Sequence, residues 1–446
     1  MTAILIKNAR IWTTGDGLID EGFVVVRDDT IAQVGPMGEL QQPQEETEVI
    51  DAGGRLVLPG FVCAHTHLYS ALARGMALSG VAPESFGDIL EQIWWRLDKA
   101  LDEESVYYSA LVGGMDFLKN GVTTIVDHHA SPYHIRGSLG LIKRAVVDEL
   151  GLRSCLCYEI SDRDGKKRAE EGIAENIAFF DETSAGSNGL LAALIGLHAS
   201  FTLSDETLMK LNKGLGDRRV GFHLHLAEGP EDQEDSLPKY GKRVTERLQD
   251  HRILNDQTIL AHGVHLDEKE KDILAQTGAM VVHNPQSNMN NAVGIADIPG
   301  MLNRGILVGL GNDGLGYEML SDLRAMFLVH KLINQDPKVM SLDHAYKVFF
   351  ESNYKIARRL FGVDVGSIRP GYKADLILVD YLPPTPLHED NFIGHLVFGL
   401  AGNLQVLTTI VNGRVLMRDR KLLSVDAKSA YAKARAAAQR LWSRIV

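Results

Sequence analysis

His65 and His67 in VCAHTH, His225 and Glu228 in HLHLAE, His262 in LAHG and Asp313 in GLGNDG are the residues of this chain that could do chemistry together. Each ends or closely follows an apolar, strand-like run, so each belongs at a strand's C-terminal end. Two residues apart on one strand, His65 and His67 point the same way, roughly 7 Å apart along the backbone, and can converge on one cation. His223 has the same parity as His225 and competes with it; His225 is preferred because it stands nearer the strand's end. Glu228 could lie beside a metal without binding it, or be only an acid opening the loop EGPEDQEDS. His262 could bind a metal or hydrogen-bond a metal-bound hydroxide, and its sequence does not separate the two. A lone Asp before Gly is ordinarily a turn residue, so Asp313 counts because it completes the set. Three histidines and a carboxylate suit one divalent ion, zinc first and iron(II) second. Such an ion lowers the pKa of a bound water toward neutrality. Asp313 could then receive the water's proton, and Glu228 could hand one to the nitrogen of the bond under attack. This design is hydrolytic, with neither a phosphate-cradling Gly-rich loop nor a nucleophile elbow.

Elements that could hold these residues recur through the middle of the chain. The apolar runs VLPGFVCAHTH, GVTTIVDHH, RSCLCYEI, LLAALIGLHA, VGFHLHLAE, TILAHG, AMVVHNP and ILVGLGNDG alternate with helical patterns such as EESVYYSALVGGMDFLKN and DEKEKDILAQTG. Eight strand candidates, each followed by a helix candidate, predict an α/β fold of the (β/α)8 TIM-barrel kind over residues 60–365. A doubly wound open sheet is the competitor, since continuous apolar runs fit any parallel sheet buried on both faces. The barrel is preferred because polar residues recur at the strand ends, where barrel active sites form. Residues 1–59 alternate apolar and polar positions between turns, and residues 366–446 return to that style, with the hairpin signal Asn412-Gly413. The two ends should pair as one small discontinuous β-sandwich, with a final helix in SAYAKARAAAQRLWSRIV.

Composition sets the outer bounds. With 446 residues, 45% hydrophobic and 23% charged, the chain reads as an ordinary globular protein with room for a large core. A formal net charge of −12 argues against a nucleic-acid partner, whose affinity would need clustered Lys and Arg. Cys63, Cys155 and Cys157 form neither a disulfide framework nor a zinc-knuckle spacing, which suits a reducing cytoplasm. The N-terminal stretch lacks the features of a signal peptide, and no apolar run is long enough for a membrane span. A small-molecule substrate, no membrane and a cytoplasmic location are therefore expected.

The motifs VLPGFVCAHTHLYSALARGM, FLKNGVTTIVDHH, GLHASFTLSDE, HLHLAE, LAHGVHLDE, VVHNPQSNMNN, GLGNDG and GSIRPGYKADLILVD run in order across nearly the whole chain. Together they resemble the amidohydrolase superfamily, in its branch of cytosine, guanine and adenosine-type deaminases and triazine chlorohydrolases. The resemblance implies His65, His67, His225 and Asp313 as ligands of a single divalent metal, Glu228 as proton shuttle and His262 as the partner orienting the attacking water. It implies a homodimer or higher homo-oligomer. It also implies His198 as a substrate-facing residue, and His283, Asn284, Ser287 and Asn288 as a substrate-side loop. Read alone, His198 is equally a barrel-end histidine satisfied by backbone, and the HNPQSN stretch is turn chemistry. Trp94 and Trp95 could stack on a heterocycle, although an amphipathic helix packed on the barrel explains them better. Two positions depart from the family's pattern: Gly229 and Asn312 stand where threonine is usual.

The expected function is a metal-dependent deaminase that attacks an amino-substituted N-heterocycle through metal-activated hydroxide and releases ammonia. Expulsion of chloride, or cleavage of a cyclic or linear amide, is the alternative for the same site. A binuclear amidohydrolase would need a bridging Lys on the fourth strand, and LLAALIGLHA has none. A non-enzymatic scaffold on this fold would usually have lost ligands that this chain retains.

Overall fold

The computed structural model describes residues 3–15, 17–41, 47–77, 82–184 and 189–445. Its centre is a set of eight parallel strands: β1 (Phe61–Thr66), β2 (Val122–His129), β3 (Arg153–Tyr158), β4 (Ile195–Ala199), β5 (Phe222–Leu226), β6 (Ile259–His262), β7 (Met280–His283) and β8 (Val308–Leu310). Every residue of these strands is buried, as a sheet with filled interior and helix-covered exterior requires. The connections carry the helices, including Glu103–Lys119, Lys166–Ser184, Asp205–Leu215, Glu268–Thr277 and Met319–Asn334. Asp102 and Asp267 each cap a helix in a capping box, so sequence chemistry fixes where those two helices begin.

Ladder hydrogen bonds join β1 to β3 and, separately, β4 to β8. Two buried asparagines stitch the seams between these groups. At one seam the backbone N–H groups of Tyr158 and Gly196 both donate to Oδ1 of Asn176, at 3.0 and 3.1 Å, and its Nδ2 donates to the Tyr158 carbonyl at 2.7 Å. Gly196 is required there, because a Cβ would stand 2.2 Å from the Tyr158 carbonyl oxygen. At the other seam Leu310 N–H donates to Oδ1 of Asn353 at 2.7 Å, and Nδ2 donates to the carbonyls of Val62 and Leu310 at 2.8 and 3.1 Å. Beyond it, the N–H groups of Asn312 and Asp313 donate to the His65 carbonyl. Each asparagine thus ties two neighbouring strands together beside the few direct backbone bonds at its seam, such as His198 N–H to the Ile160 carbonyl at 2.9 Å. Asn353→Leu is expected to take this partner from one buried N–H and two carbonyls, at about 1–3 kcal/mol for each group left unpaired. Urea unfolding should show a clearly lowered midpoint with unchanged m, and Asn353→Asp should fall between the two.

Strands from both chain ends share one nine-stranded sheet. Leu376–Val379 pairs antiparallel with Leu56–Pro59, which joins Ala3–Trp12 in parallel. The two-residue period of a strand decides which core each side chain enters. Leu376 and Leu378 pack with Ile4, Val24 and Val57 in the small sheet's own core, whereas Ile377 and Val379 pack with Leu56 and Leu58 in the core shared with the barrel. The last helix, Ala427–Trp442, lies against Glu103–Lys119, with Tyr431 Oη donating to Asp116 at 2.6 Å. Among the described residues, no helix is long and apolar enough to cross a membrane.

Candidate active site

The chemistry-bearing residues meet at the C-terminal ends of the barrel strands. His65 is the penultimate residue of β1 with His67 just beyond the strand, His225 lies in β5, His262 ends β6, and Asp313 follows β8. Ala227, His262 and Asp313 adopt positive φ of 47°, 75° and 55°. Left-handed backbone is uncommon outside glycine and tends to gather at functional sites. Here it turns the chain sharply at three strand ends that carry the site.

One ligand atom each from His65, His67, His225 and Asp313 lies within 4.8 Å of the others. Asp313 Oδ1 is 2.9 Å from His65 Nε2 and 3.0 Å from His67 Nε2, and His67 Nε2 is 3.1 Å from His225 Nε2. The outer ring nitrogens explain why the inner ones are free. His67 Nδ1 lies 2.6 Å from the His128 carbonyl, and His225 Nδ1 lies 3.0 Å from the His198 carbonyl. A carbonyl only accepts, so both Nδ1 atoms carry hydrogen and both Nε2 lone pairs face the centre. Burial holds the His225 imidazole well below its ordinary range, with His128 adding to the effect, which keeps it neutral. At His67 burial pulls the imidazole down, but the Asp313 carboxylate outweighs it and lifts the group to about 9, holding a proton where a cation would sit. Three converging imidazoles and one carboxylate fit a single divalent ion such as zinc.

His223 stands one layer behind. Its Nε2 is 2.8 Å from His65 Nδ1, and its Nδ1 is 3.6 Å from Cys157 Sγ, whose thiol donates to the Asp127 carbonyl at 3.4 Å. With the His65 Nε2 lone pair directed inward, hydrogen sits on His65 Nδ1 and then on His223 Nδ1. His223 therefore supports His65 and lies outside the converging set. His223→Asn is expected to weaken zinc binding about 10–100-fold in a competitive chelator titration, with the circular dichroism spectrum retained.

Glu228, His262 and Asp313 form an adjoining group. Asn288 Nδ2 lies 2.9 Å from His262 Nδ1. With Asn288 donating, hydrogen is on His262 Nε2, 3.3 Å from Glu228 Oε2 and 3.8 Å from Asp313 Oδ2. That buried Nε2 makes no hydrogen bond among the described residues. Asn291 donates to Glu228 Oε1 at 3.2 Å, and Ser287 donates to Asp313 Oδ2 at 2.5 Å. Burial, then the nearby Asp313 charge, pushes the Glu228 carboxyl well above its ordinary value. Burial acts the same way on Asp313, but His262, His65 and His67 overcome it and hold that carboxylate well below. Two carboxyls pushed apart in this way divide into an acid and a base.

Over the group opens a cleft with Phe86, Leu90, Trp94, Trp95, Phe201 and Leu315 on its walls. Both tryptophans belong to the helical stretch Phe86–Ala100. His198 lines the cleft, with Nδ1 2.7 Å from Thr202 Oγ1 and Nε2 3.6 Å from Glu159.

Asn284 and Asn288, the expected substrate-side residues, lie behind this surface. Both are fully buried, and neither is among the described residues lining the cleft. Pro285 starts a helix, Pro285–Asn290, and positions four apart share a face. Positions 284 and 288 accordingly turn inward while Ser287, Asn290 and Asn291 reach the cleft. Asn291 was missed in the sequence because only helix phase distinguishes it from its neighbours. Asp98, Glu159, Arg163 and Asp232 also line the cleft and had no motif to mark them. Arg163 lies 2.5 Å from Asp98 Oδ2 and 3.4 Å from Glu159 Oε1, and burial raises the Asp98 carboxyl to about 7 against the pull of that guanidinium.

The two departures from the family pattern have local reasons. A Cβ at Gly229 would stand 2.1 Å from Glu231 Oε2 and 2.6 Å from Phe86 Cδ1, so those side chains fill the space of a threonine. Asn312 accepts from Gly314 N–H at 3.0 Å and donates to the Gly316 carbonyl, shaping the loop around Asp313.

A barrel whose mouth gathers converging imidazoles and opposed carboxyls in this way is, by class, a metallohydrolase. The Amidohydrolase family model matches residues 56–416. A 5-methylthioadenosine/S-adenosylhomocysteine deaminase of Pelotomaculum thermopropionicum is 32% identical over 451 residues, covering 100% of both chains. A 5'-deoxyadenosine deaminase of Methanobrevibacter smithii is 31% identical, covering 98% of both. Among solved structures, a zinc-bound adenosine deaminase from Xanthomonas campestris superposes with a TM-score of 0.86 at 23% identity, covering 99% of this chain and 98% of that one. The zinc complex of atrazine chlorohydrolase from Arthrobacter aurescens TC1 gives 0.80 at 22% identity, covering 98% and 100%. The chain belongs to the amidohydrolase family.

Proposed function

We propose that this chain is a hydrolytic deaminase that replaces the exocyclic amine of an amino-substituted N-heterocycle, of the adenine type, by oxygen from water and releases ammonia. The observation that carries this reading is geometric: Glu228 and His262 stand beside the converging set of His65, His67, His225 and Asp313, with burial raising the Glu228 carboxyl. Two curated relatives of matching length, named as deaminases of adenosine derivatives, supply the ring chemistry.

His65, His67, His225 and Asp313 would hold one zinc ion, which when bound supplies Lewis-acid activation of water at neutral pH. Asp313 accepts the proton of the attacking water. His262 donates from Nε2 and orients that water toward the ring carbon. Glu228 gives its proton to the adjacent ring nitrogen, so electron density leaving the C=N bond is neutralised as the new C–O bond forms. The proton taken up by Asp313 then reaches the amine, the C–N bond breaks as the hydroxyl proton returns to Glu228 and the C=O bond forms, and ammonia leaves. Trp94 and Phe201 give the ring apolar walls. The family resemblance adds a homodimer to this proposal.

Ammonia release should be measured with zinc-loaded and metal-stripped protein across purines, purine nucleosides, pterins, pyrimidines and amino-triazines. Metal-dependent ammonia from an adenine-type ring is the expected result. Chloride from a halogenated triazine, or ring opening of a cyclic amide without ammonia, would overturn the leaving group while keeping the hydrolytic site. Silence across the panel with stoichiometric metal would overturn the deaminase reading.

A further inference from the structure

The wall of the cleft away from the imidazoles carries a charge arrangement that the proposed deamination does not use. Arg163 is the one lysine or arginine among the described residues lining the cleft. Its side chain is 8% exposed, and its guanidinium is already committed: NH2 lies 2.5 Å from Asp98 Oδ2 and 3.4 Å from Glu159 Oε1, and Nε lies 3.4 Å from Asp164 Oδ2. Its guanidinium carbon sits 5.3 Å from the Trp95 ring centroid, so three carboxylates and an aromatic ring already crowd it, and its buried Nε lacks a hydrogen bond among the described residues. Glu159 is held in turn by His128 Nδ1 at 3.4 Å and His198 Nε2 at 3.6 Å. Asp98 is 1% exposed and lines the cleft, yet its Oδ1 has no hydrogen-bond partner among the described residues. Asp232, also on the wall, accepts from the backbone N–H groups of Ala227 and Phe201 and offers no positive charge.

We propose that this cleft selects rings whose substituent is neutral and hydrogen-donating, and rejects rings whose substituent carries a carboxylate or phosphate. The selection rests on the cleft being the substrate site of the proposed function. A neutral N–H or O–H group can satisfy the orphaned Oδ1 of Asp98. An anionic group would be desolvated against Asp98 and Glu159, with the one nearby cation spent on those same carboxylates; like-charge juxtaposition of this kind is strongly unfavourable. Asp98 and Glu159 are therefore specificity residues that act by withholding Arg163 from the ligand, and rejection counts as much as attraction in setting specificity.

The test reads binding, so it does not depend on turnover. Calorimetry on zinc-loaded full-length protein compares matched pairs that share a ring and differ in distal charge: adenosine against adenosine 5'-monophosphate, and 9-(2-hydroxyethyl)adenine against 9-(carboxymethyl)adenine. The neutral member should bind at least about 100-fold tighter, and Asp98→Asn, which is close to isosteric and loosens the hold on Arg163, should narrow the ratio to about tenfold or less. Equal or tighter binding of the anionic member to the unaltered protein overturns the proposal without any variant. An unchanged ratio in folded Asp98→Asn overturns the role given to Asp98, and failure of either neutral ring to bind at millimolar concentration overturns the substrate class. Neutral rings that bind preferentially without releasing ammonia would support this selection while sinking the deaminase reading, so the two fail separately.

Discussion

Asp313→Asn is expected to reduce ammonia release by at least about 1000-fold, within the range for a general base that also touches a bound metal, while the protein stays folded. The substitution keeps side-chain size and the hydrogen bond from Ser287, which reaches Oδ2 at 2.5 Å. It removes the negative charge that sits 2.9 Å from His65 Nε2 and 3.0 Å from His67 Nε2, and with it a strong anionic donor to a cation. It also removes the group that three histidines keep ionised against burial, and so the acceptor for the water's proton. Metal content by elemental analysis separates the two losses. Metal lost with activity assigns Asp313 chiefly to ligation; metal retained without activity assigns it chiefly to proton transfer. Full residual activity would sink both roles. The loop geometry should survive, because Asn312 rather than Asp313 makes the hydrogen bonds to Gly314 and Gly316.

The parts legible in the sequence were those with a period or a spacing. Eight apolar runs announced eight parallel strands because a strand buried on both faces has no polar position to spare until its end. His65 and His67 were readable as a pair from a two-residue spacing, which gained weight only with its partners along the chain, and His225 was preferred to His223 by its distance from the strand's end. What the sequence could not carry was everything set by helix phase or by long-range pairing. Asn284 and Asn288 belong to a motif that resembles a substrate-side loop; at the start of the helix Pro285–Asn290 both are buried, and Asn288 lies against His262. Asn176 and Asn353 look like ordinary polar residues within helices, and only assembly of the barrel reveals that each serves two strands. Asp98 and Arg163 are 65 positions apart, so neither residue type nor spacing suggested that one neutralises the other.

Glu228→Gln is expected to lower kcat about 10²–10⁴-fold with KM little changed and zinc content intact. Glutamine preserves the contact with Asn291 and can still offer an N–H toward a ring nitrogen, so binding should be largely retained. It has no proton to give, and the step that fails is neutralisation of the ring nitrogen as the C–O bond forms. The environment prepares this role: burial, reinforced by the Asp313 charge, keeps the carboxyl protonated well above the pH at which a surface glutamate ionises. His262 Nε2 at 3.3 Å is itself a donor, so it cannot replace the lost proton without giving up its hold on the attacking water. A decrease of less than about tenfold would place the proton elsewhere, with Asp313 acting as both base and acid. A matching rise in KM would instead make Glu228 a binding residue, since lost ground-state affinity raises KM and leaves kcat. Loss of kcat alone, with metal in place, is the outcome that separates Glu228 from the converging set and fixes it as the carrier of the proton.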